Sequence, residues 1–221
     1  MVRKSTYSTV TFIELPGYKI EFTPISKLPN SLSGARIEII NTKGDILDSG
    51  SFIITMSTTQ EAELFLNIYN PQQRSNFVKS ERVDVDSIHN IILSLFEHVF
   101  NETYLTNSGV EINVNIETIP KNHDVLLYSL LMMISLFIAI SDVKLWCMFV
   151  PVAVNDKIEI HVTERRKDVE MKKVELNYYL LTQFVLSKPL GDPKIKRKEA
   201  LANYYKFLTE HFMMSLMSQY L

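Results

Sequence analysis

Cysteine is nearly absent from this chain: Cys147 stands alone among 221 residues. That excludes an intrachain disulfide and a cysteine-ligated zinc cluster, and it fits a reducing compartment. Cys147 lies inside the apolar run LWCMFV, where a core thiol is expected rather than a nucleophile. Glycine is scarce as well. The six glycines never fall at GxG spacing, so dinucleotide and P-loop motifs are missing. HExxH, CxxC and a nucleophile elbow are missing too. The five histidines, His89, His98, His123, His161 and His211, are dispersed, and each is expected as a surface or capped residue rather than a ligand. Neither sign of charge dominates. The formal net charge is −2, which argues against a surface built as a whole to hold nucleic acid but leaves a local basic patch open. The N-terminal MVRKSTYSTVTF has no apolar core and no cleavage signature, so no secretory signal is expected there.

One long hydrophobic run does exist. The seventeen residues from Val125 to Ser141 carry no charge, and ten are Val, Leu, Ile or Phe. On an insertion scale those ten favour a bilayer by roughly 3–6 kcal/mol, and a span needs about 17 residues at least. Hydropathy alone leaves a membrane helix open, so the neighbours decide. GVEINVNIETI comes just before, with Val110, Ile112, Val114 and Ile116 alternating with Glu111, Asn113, Asn115 and Glu117: a strand with one wet face. VKLWCMFVPVAV follows, a continuous apolar run expected as a strand covered on both faces. No polar juxtamembrane segment separates the three. The expectation is a central helix buried in protein, with Asn122 or Asp124 as its cap; a membrane-associated protein anchored by residues 125–141 is an alternative.

Elsewhere the pattern is strand-rich at the start and helical at the end. SGARIEII, SFIITM and ELFLNIY are β-branched and aromatic, with NTKGD and TTQE between them supplying turns. NPQQRSNFVKSER is a polar loop. Ile88, Ile91, Ile92, Leu95, Phe96 and Val99 then fall on one helical stripe. KIEIHV alternates, and VELNYYLLTQFVLS is expected as two strands or a hairpin. IKRKEALANYYKFLTEHFMMSLMSQY predicts a long C-terminal helix with Leu201, Tyr204 or Tyr205, Leu208, Phe212 and Leu216 on its apolar face. No linker is long enough to divide the chain, so residues 1–221 are expected as one α+β domain of mixed sheets packed with helices, with a short strand segment over about residues 1–30.

The order of elements resembles the ribonuclease PH family, and specifically divergent, non-catalytic ring subunits of the eukaryotic RNA exosome. GARIEIINTK is similar to that family's "GSAxVExGNTK" strand and turn, at Gly34, Ala35, Glu38, Asn41, Thr42 and Lys43. Ser108 to Ile116 matches its alternating "SxIDIxVxVL" strand. Ala139, Ser141, Asp142 and Leu145 match a helix end reading "AxADAGI", and Asn155, Asp156, Ile158, Thr163 and Glu164 match a following hairpin. The resemblance covers roughly residues 30–220. It implies the ribonuclease PH-like fold (ribosomal protein S5 domain 2-like) with a left-handed βαβ crossover, against the usual right-handed default.

The same resemblance shows what is missing. Active members carry a "GGTR" element that sets backbone amides and an arginine against phosphate at the start of the central helix, and an acidic pair that holds a divalent metal. The matching positions here read PKNHDVLLYS, without glycine or arginine, and no arginine occurs between Arg82 and Arg165. His123 is expected as a helix-start loop residue, not a phosphate ligand. Asp168 and Glu170 fall near the acidic pair, but Arg165, Arg166 and Lys167 occupy ground that is acidic in active members. No catalytic residue, cofactor or metal is therefore expected. The implied function is a structural subunit of the exosome core ring supporting 3′-to-5′ RNA processing and degradation. The implied partners are other ribonuclease PH-like subunits in a heterohexameric ring, S1/KH-type cap subunits and RNA in the channel, with no membrane. The implied location is nucleus (nucleolus) and cytoplasm. Arg74, Lys79 and Arg82 are the candidate RNA contacts. A phosphate-dependent 3′-to-5′ exoribonuclease of the same family is the other alternative.

Two further features stand out. IKRKEA opens the terminal helix with basic residues where the helix dipole favours acid, so an acidic or phosphate-bearing partner would offset it. Twelve Phe, ten Tyr, one Trp and nine Met point to association through apolar surface.

Overall fold

The computed structural model describes residues 11–25, 33–59, 64–69, 89–95, 109–140, 147–154, 157–164, 178–185, 190, 194 and 196–207. These form two sheets and three helices. Strands β1 (Thr11–Leu15), β2 (Tyr18–Pro24), β3 (Ser33–Asn41), β4 (Gly50–Thr59), β5 (Leu64–Tyr69) and β6 (Gly109–Thr118) make a six-stranded sheet in the order β1-β2-β3-β4-β6-β5. Strands β7 (Cys147–Val154), β8 (Lys157–Glu164) and β9 (Tyr178–Val185) make a second, antiparallel sheet. The helices are α1 (residues 89–95), α2 (His123–Ile140) and α3 (Arg197–Phe207). Of the segment VELNYYLLTQFVLS, expected as two strands or a hairpin, the described residues form strand β9, and the rest lies outside the described residues.

The first sheet is built from period-two alternation. Tyr18, Ile20 and Phe22, Ala35, Ile37 and Ile39, Phe52, Ile54 and Met56, and Val110 through Ile116 at alternate positions are all buried. Register aligns them: Ile20 faces Ile39, Ile37 faces Phe52, and Ile54 faces Val114. One face is thus continuously apolar, and each fully buried aliphatic side chain stabilises by about 1.5–3 kcal/mol. The opposite face carries polar pairs beside Ile40 and Ile53. Lys19 pairs with Glu21 at 2.6 Å, Arg36 with Glu117 at 2.7 Å, and Asn67 donates to Glu111 and Asn113, each at 3.0 Å. β5 and β6 run parallel, with α1 between them in sequence. Ile92 and Leu95 of α1 are buried as the stripe predicts; Ile88, Phe96 and Val99 lie outside the described residues.

Helix α2 packs against β3 and β4 of the first sheet and β7 of the second. Every side chain from Val125 to Phe137 is buried, so this stretch has no face left for lipid. The helix starts with polar His123 and Asp124 and ends at Ile140, so its apolar part is shorter than a minimal span, and among the described residues no helix is long and apolar enough to cross a membrane. Its two serines are satisfied internally: Ser129 Oγ donates to the Val125 carbonyl at 2.7 Å, and Ser135 Oγ donates to the Phe149 carbonyl of β7. Strand β7 is covered on both faces as expected, from Phe149 through Val152.

Strand β8 departs from its alternation. Ile158, Ile160 and Val162 are buried, and so are Glu159 and His161, at 2% and 3% exposure. His161, expected as a surface or capped residue, is buried with its Nε2 3.0 Å from Glu159 Oε2. Arg197 at the start of α3 reaches over this face to Glu159, and α3 packs on the neighbouring β7. The buried Glu159 of β8 is thus paired across a long stretch of sequence with Arg197.

Candidate functional site

The start of α2 is the place where the resemblance would put phosphate chemistry, and there the chain has built a closed polar cluster. It begins with the β3–β4 turn. Gly44 takes a positive φ of 84°, which glycine adopts without strain. A 3₁₀ turn over Ile46–Asp48 follows, capped by Asp45, whose Oδ1 accepts from the Leu47 amide at 3.0 Å. This turn delivers Asp48 into the interior, at 7% exposure.

Several donors converge on the Asp48 carboxylate. Tyr18 Oη donates to Oδ2 at 2.6 Å, Asn41 Nδ2 donates to the same oxygen at 3.0 Å, and the Asn122 backbone amide donates to Oδ1 at 2.9 Å. A buried carboxylate is tolerable when its lone pairs are met in this way. Burial, and next the hydrogen bond to Asp48, push the Tyr18 hydroxyl up to about 12, so Tyr18 stays a neutral donor. Asn122 is the cap the sequence offered: its Oδ1 accepts from the Asp124 amide at 3.2 Å, and its carbonyl accepts from the Val125 amide at 3.2 Å.

These contacts decide the electrostatics. A helix N-terminus attracts an anion through free amides and the helix dipole. Here the amides of Asn122, Asp124 and Val125 have partners inside the chain, and the anion is Asp48 itself. A phosphate brought to this point would meet a carboxylate of its own sign. His123, the first helical residue, is half-buried.

A second cluster joins β8 to α3. Arg197 Nη2 donates to Glu159 Oε1 at 2.7 Å, its Nε donates to Oε2, and His161 Nε2 lies 3.0 Å from Oε2. The two-point grip of a guanidinium on a carboxylate fixes orientation as well as charge, and it raises Arg197 above its ordinary value. Beside Glu199 in its own first turn, the basic helix start gains a second acid from the chain's own Glu159. Lys157 is the remaining charged side chain of known burial on this face of β8, and it is half-buried. The cluster has the chemistry of a brace.

The candidate RNA contacts Arg74, Lys79 and Arg82 lie outside the described residues, as do Asp168, Glu170 and the Arg165–Lys167 run. Among the described residues no three His, Cys, Asp or Glu side chains gather as a metal would require. Asp48 is the residue that sequence reasoning missed. Its partners Tyr18 and Asn122 lie 30 and 74 residues away, and nothing in ILDSG marks it as interior.

No family model matches the chain, and no curated protein matches it. Among solved structures, it is similar to that of rice (Oryza sativa) Rrp46, with 10% sequence identity, a TM-score of 0.45, and coverage of 97% of this chain and 93% of that chain.

Proposed function

We propose that this protein is a non-catalytic subunit of the RNA exosome core ring, with a ribonuclease PH-like fold. Support for the ring assignment is the sequence resemblance, whose quoted residues, among the described ones, fall on β3 and its turn, on β6, at Ala139 near the end of α2, and on β8, in that order along the chain. The observation that supports the non-catalytic part is the hydrogen bond from the Asn122 amide to Asp48, which seats an internal carboxylate at the helix start to which the resemblance assigns the phosphate. In this reading the chain completes a heterohexameric ring with other ribonuclease PH-like subunits. It shapes the channel through which RNA passes, docks S1/KH-type caps and the separate nuclease, and works without cofactor in the nucleus, including the nucleolus, and in the cytoplasm. Arg74, Lys79 and Arg82 would touch RNA on its way to the ring centre.

The test is phosphate dependence. The purified protein is incubated with RNA, with and without inorganic phosphate, and nucleoside diphosphates are measured. The proposal expects none above background. Phosphate-dependent release would replace it with the phosphorolytic exoribonuclease. For the RNA contacts, Arg74, Lys79 and Arg82 are all changed to Glu in a reconstituted ring; the proposal expects weaker RNA protection, and unchanged protection removes these residues from the path.

A further inference from the structure

Two large aliphatic side chains stand in water at one end of the first sheet. Ile46 is 87% exposed and Leu47 72% exposed, side by side on the turn between β3 and β4. Their backbone is fixed from several directions. Asp45 caps the turn, the Ser49 amide closes it on the Ile46 carbonyl at 3.2 Å, and Asp48 is locked into the Tyr18–Asn41–Asn122 cluster. The Thr42 amide donates to the Gly17 carbonyl at 3.0 Å, which joins the turn to the β1–β2 turn, and Lys121 pairs with Asp45 at 3.3 Å, which joins it to the loop before α2. Two adjacent aliphatic side chains held so firmly in solvent are pre-ordered for burial in something else.

The charges around them say what kind of surface that is. Asp45 is neutralised by Lys121, and Asp48 is interior. The outward charge left on the turn is the Lys43 ammonium, for which no ion pair exists among the described residues. The complement is an aliphatic socket with a carboxylate at its rim. We propose that Ile46 and Leu47 are a preformed plug for such a socket on an adjoining chain of the ring, with Lys43 meeting the rim carboxylate. This identification of the partner rests on the ring reading above.

The test uses the tagged full chain co-expressed with the other ribonuclease PH-like chains, as wild type, as the Ile46→Ser/Leu47→Ser double variant and as Lys43→Glu. All three positions are exposed, so thermal unfolding is expected to be unchanged and serves as the control. The plug predicts recovery of the partner chains about tenfold lower for the double variant and about threefold lower for Lys43→Glu. Equal recovery by wild type and the double variant overturns the plug and leaves the ring reading standing. If the wild type recovers no such chains, the ring reading falls and takes the socket with it. If the purified wild type is a dimer that the double variant makes monomeric, the socket belongs to a second copy of this chain, and the ring assignment of the plug is overturned.

Discussion

The Asp48 carboxylate accepts a hydrogen bond from the Asn122 backbone amide at 2.9 Å, across 74 residues of sequence. This contact ties the β3–β4 turn to the start of the central helix and sets a fixed negative charge at a helix end that would otherwise invite an anion.

Removing that carboxylate leaves Tyr18 Oη, Asn41 Nδ2 and the Asn122 amide without their common acceptor. Asp48→Ala is expected to lower unfolding free energy by about 2–4 kcal/mol, since unmet buried donors cost more than a single hydrogen bond contributes. Urea denaturation of the two proteins checks this. A change below about 0.5 kcal/mol would mean that the cluster holds nothing together.

Tyr18 gives the cluster an alkaline signature. Its folded value is pushed up to about 12, against about 10 in the unfolded chain. The folded state therefore holds this proton more tightly. The stability it contributes is complete below pH 10 and is lost as pH rises from about 10 to 12, at about 1.4 kcal/mol per pH unit. Between pH 9 and 11.5 the wild type is expected to lose about 2 kcal/mol more than Tyr18→Phe, measured by urea unfolding at both pH values. Parallel losses would contradict the raised value.

Arg197 and Glu159 brace α3 on the second sheet. Arg197→Met leaves the buried Glu159 carboxylate beside His161 without its guanidinium. Breaking a fully buried pair costs about 3–5 kcal/mol. Half of the Arg197 side chain is in solvent, so the expected loss is about 2 kcal/mol. A double-mutant cycle with Glu159→Gln measures the coupling, which is expected to be favourable; zero coupling would make the pair incidental.

Much of this fold was legible in the sequence, and the exceptions have physical causes. The alternation in GVEINVNIETI showed β6 and its wet face because burial there follows strand geometry alone. The all-round apolar character of α2 marked a helix enclosed by protein, and both of its coverings are sheets. In KIEIHV the alternation does not reveal that Glu159 and His161 are buried as well, since the partner of Glu159 is Arg197 on an element more than thirty residues away. Asp48 was invisible for the same reason: its burial depends on Tyr18, Asn41 and Asn122, and local pattern carries no trace of them. Arg74, Lys79 and Arg82 were legible as basic residues but lie outside the described residues.

Gly50 sets the entry to β4. A Cβ there would come within 2.5 Å of Pro120 Cδ and 3.1 Å of the Thr118 carbonyl oxygen. Proline has no flexible end to swing aside, so the strand or the loop before α2 must move. Gly50→Ala is expected to destabilise by about 1–3 kcal/mol, seen as a lower thermal midpoint. An unchanged midpoint would show that the β4–Pro120 approach is slack.

The central claim is that this chain acts as a ring subunit without chemistry of its own. Its most direct test is mild affinity purification of the tagged chain, with the co-eluting proteins quantified by mass spectrometry. The account predicts five other ribonuclease PH-like chains and the S1/KH-type caps in equal amounts with it. Recovery of the chain alone, as a monodisperse protein, would contradict it.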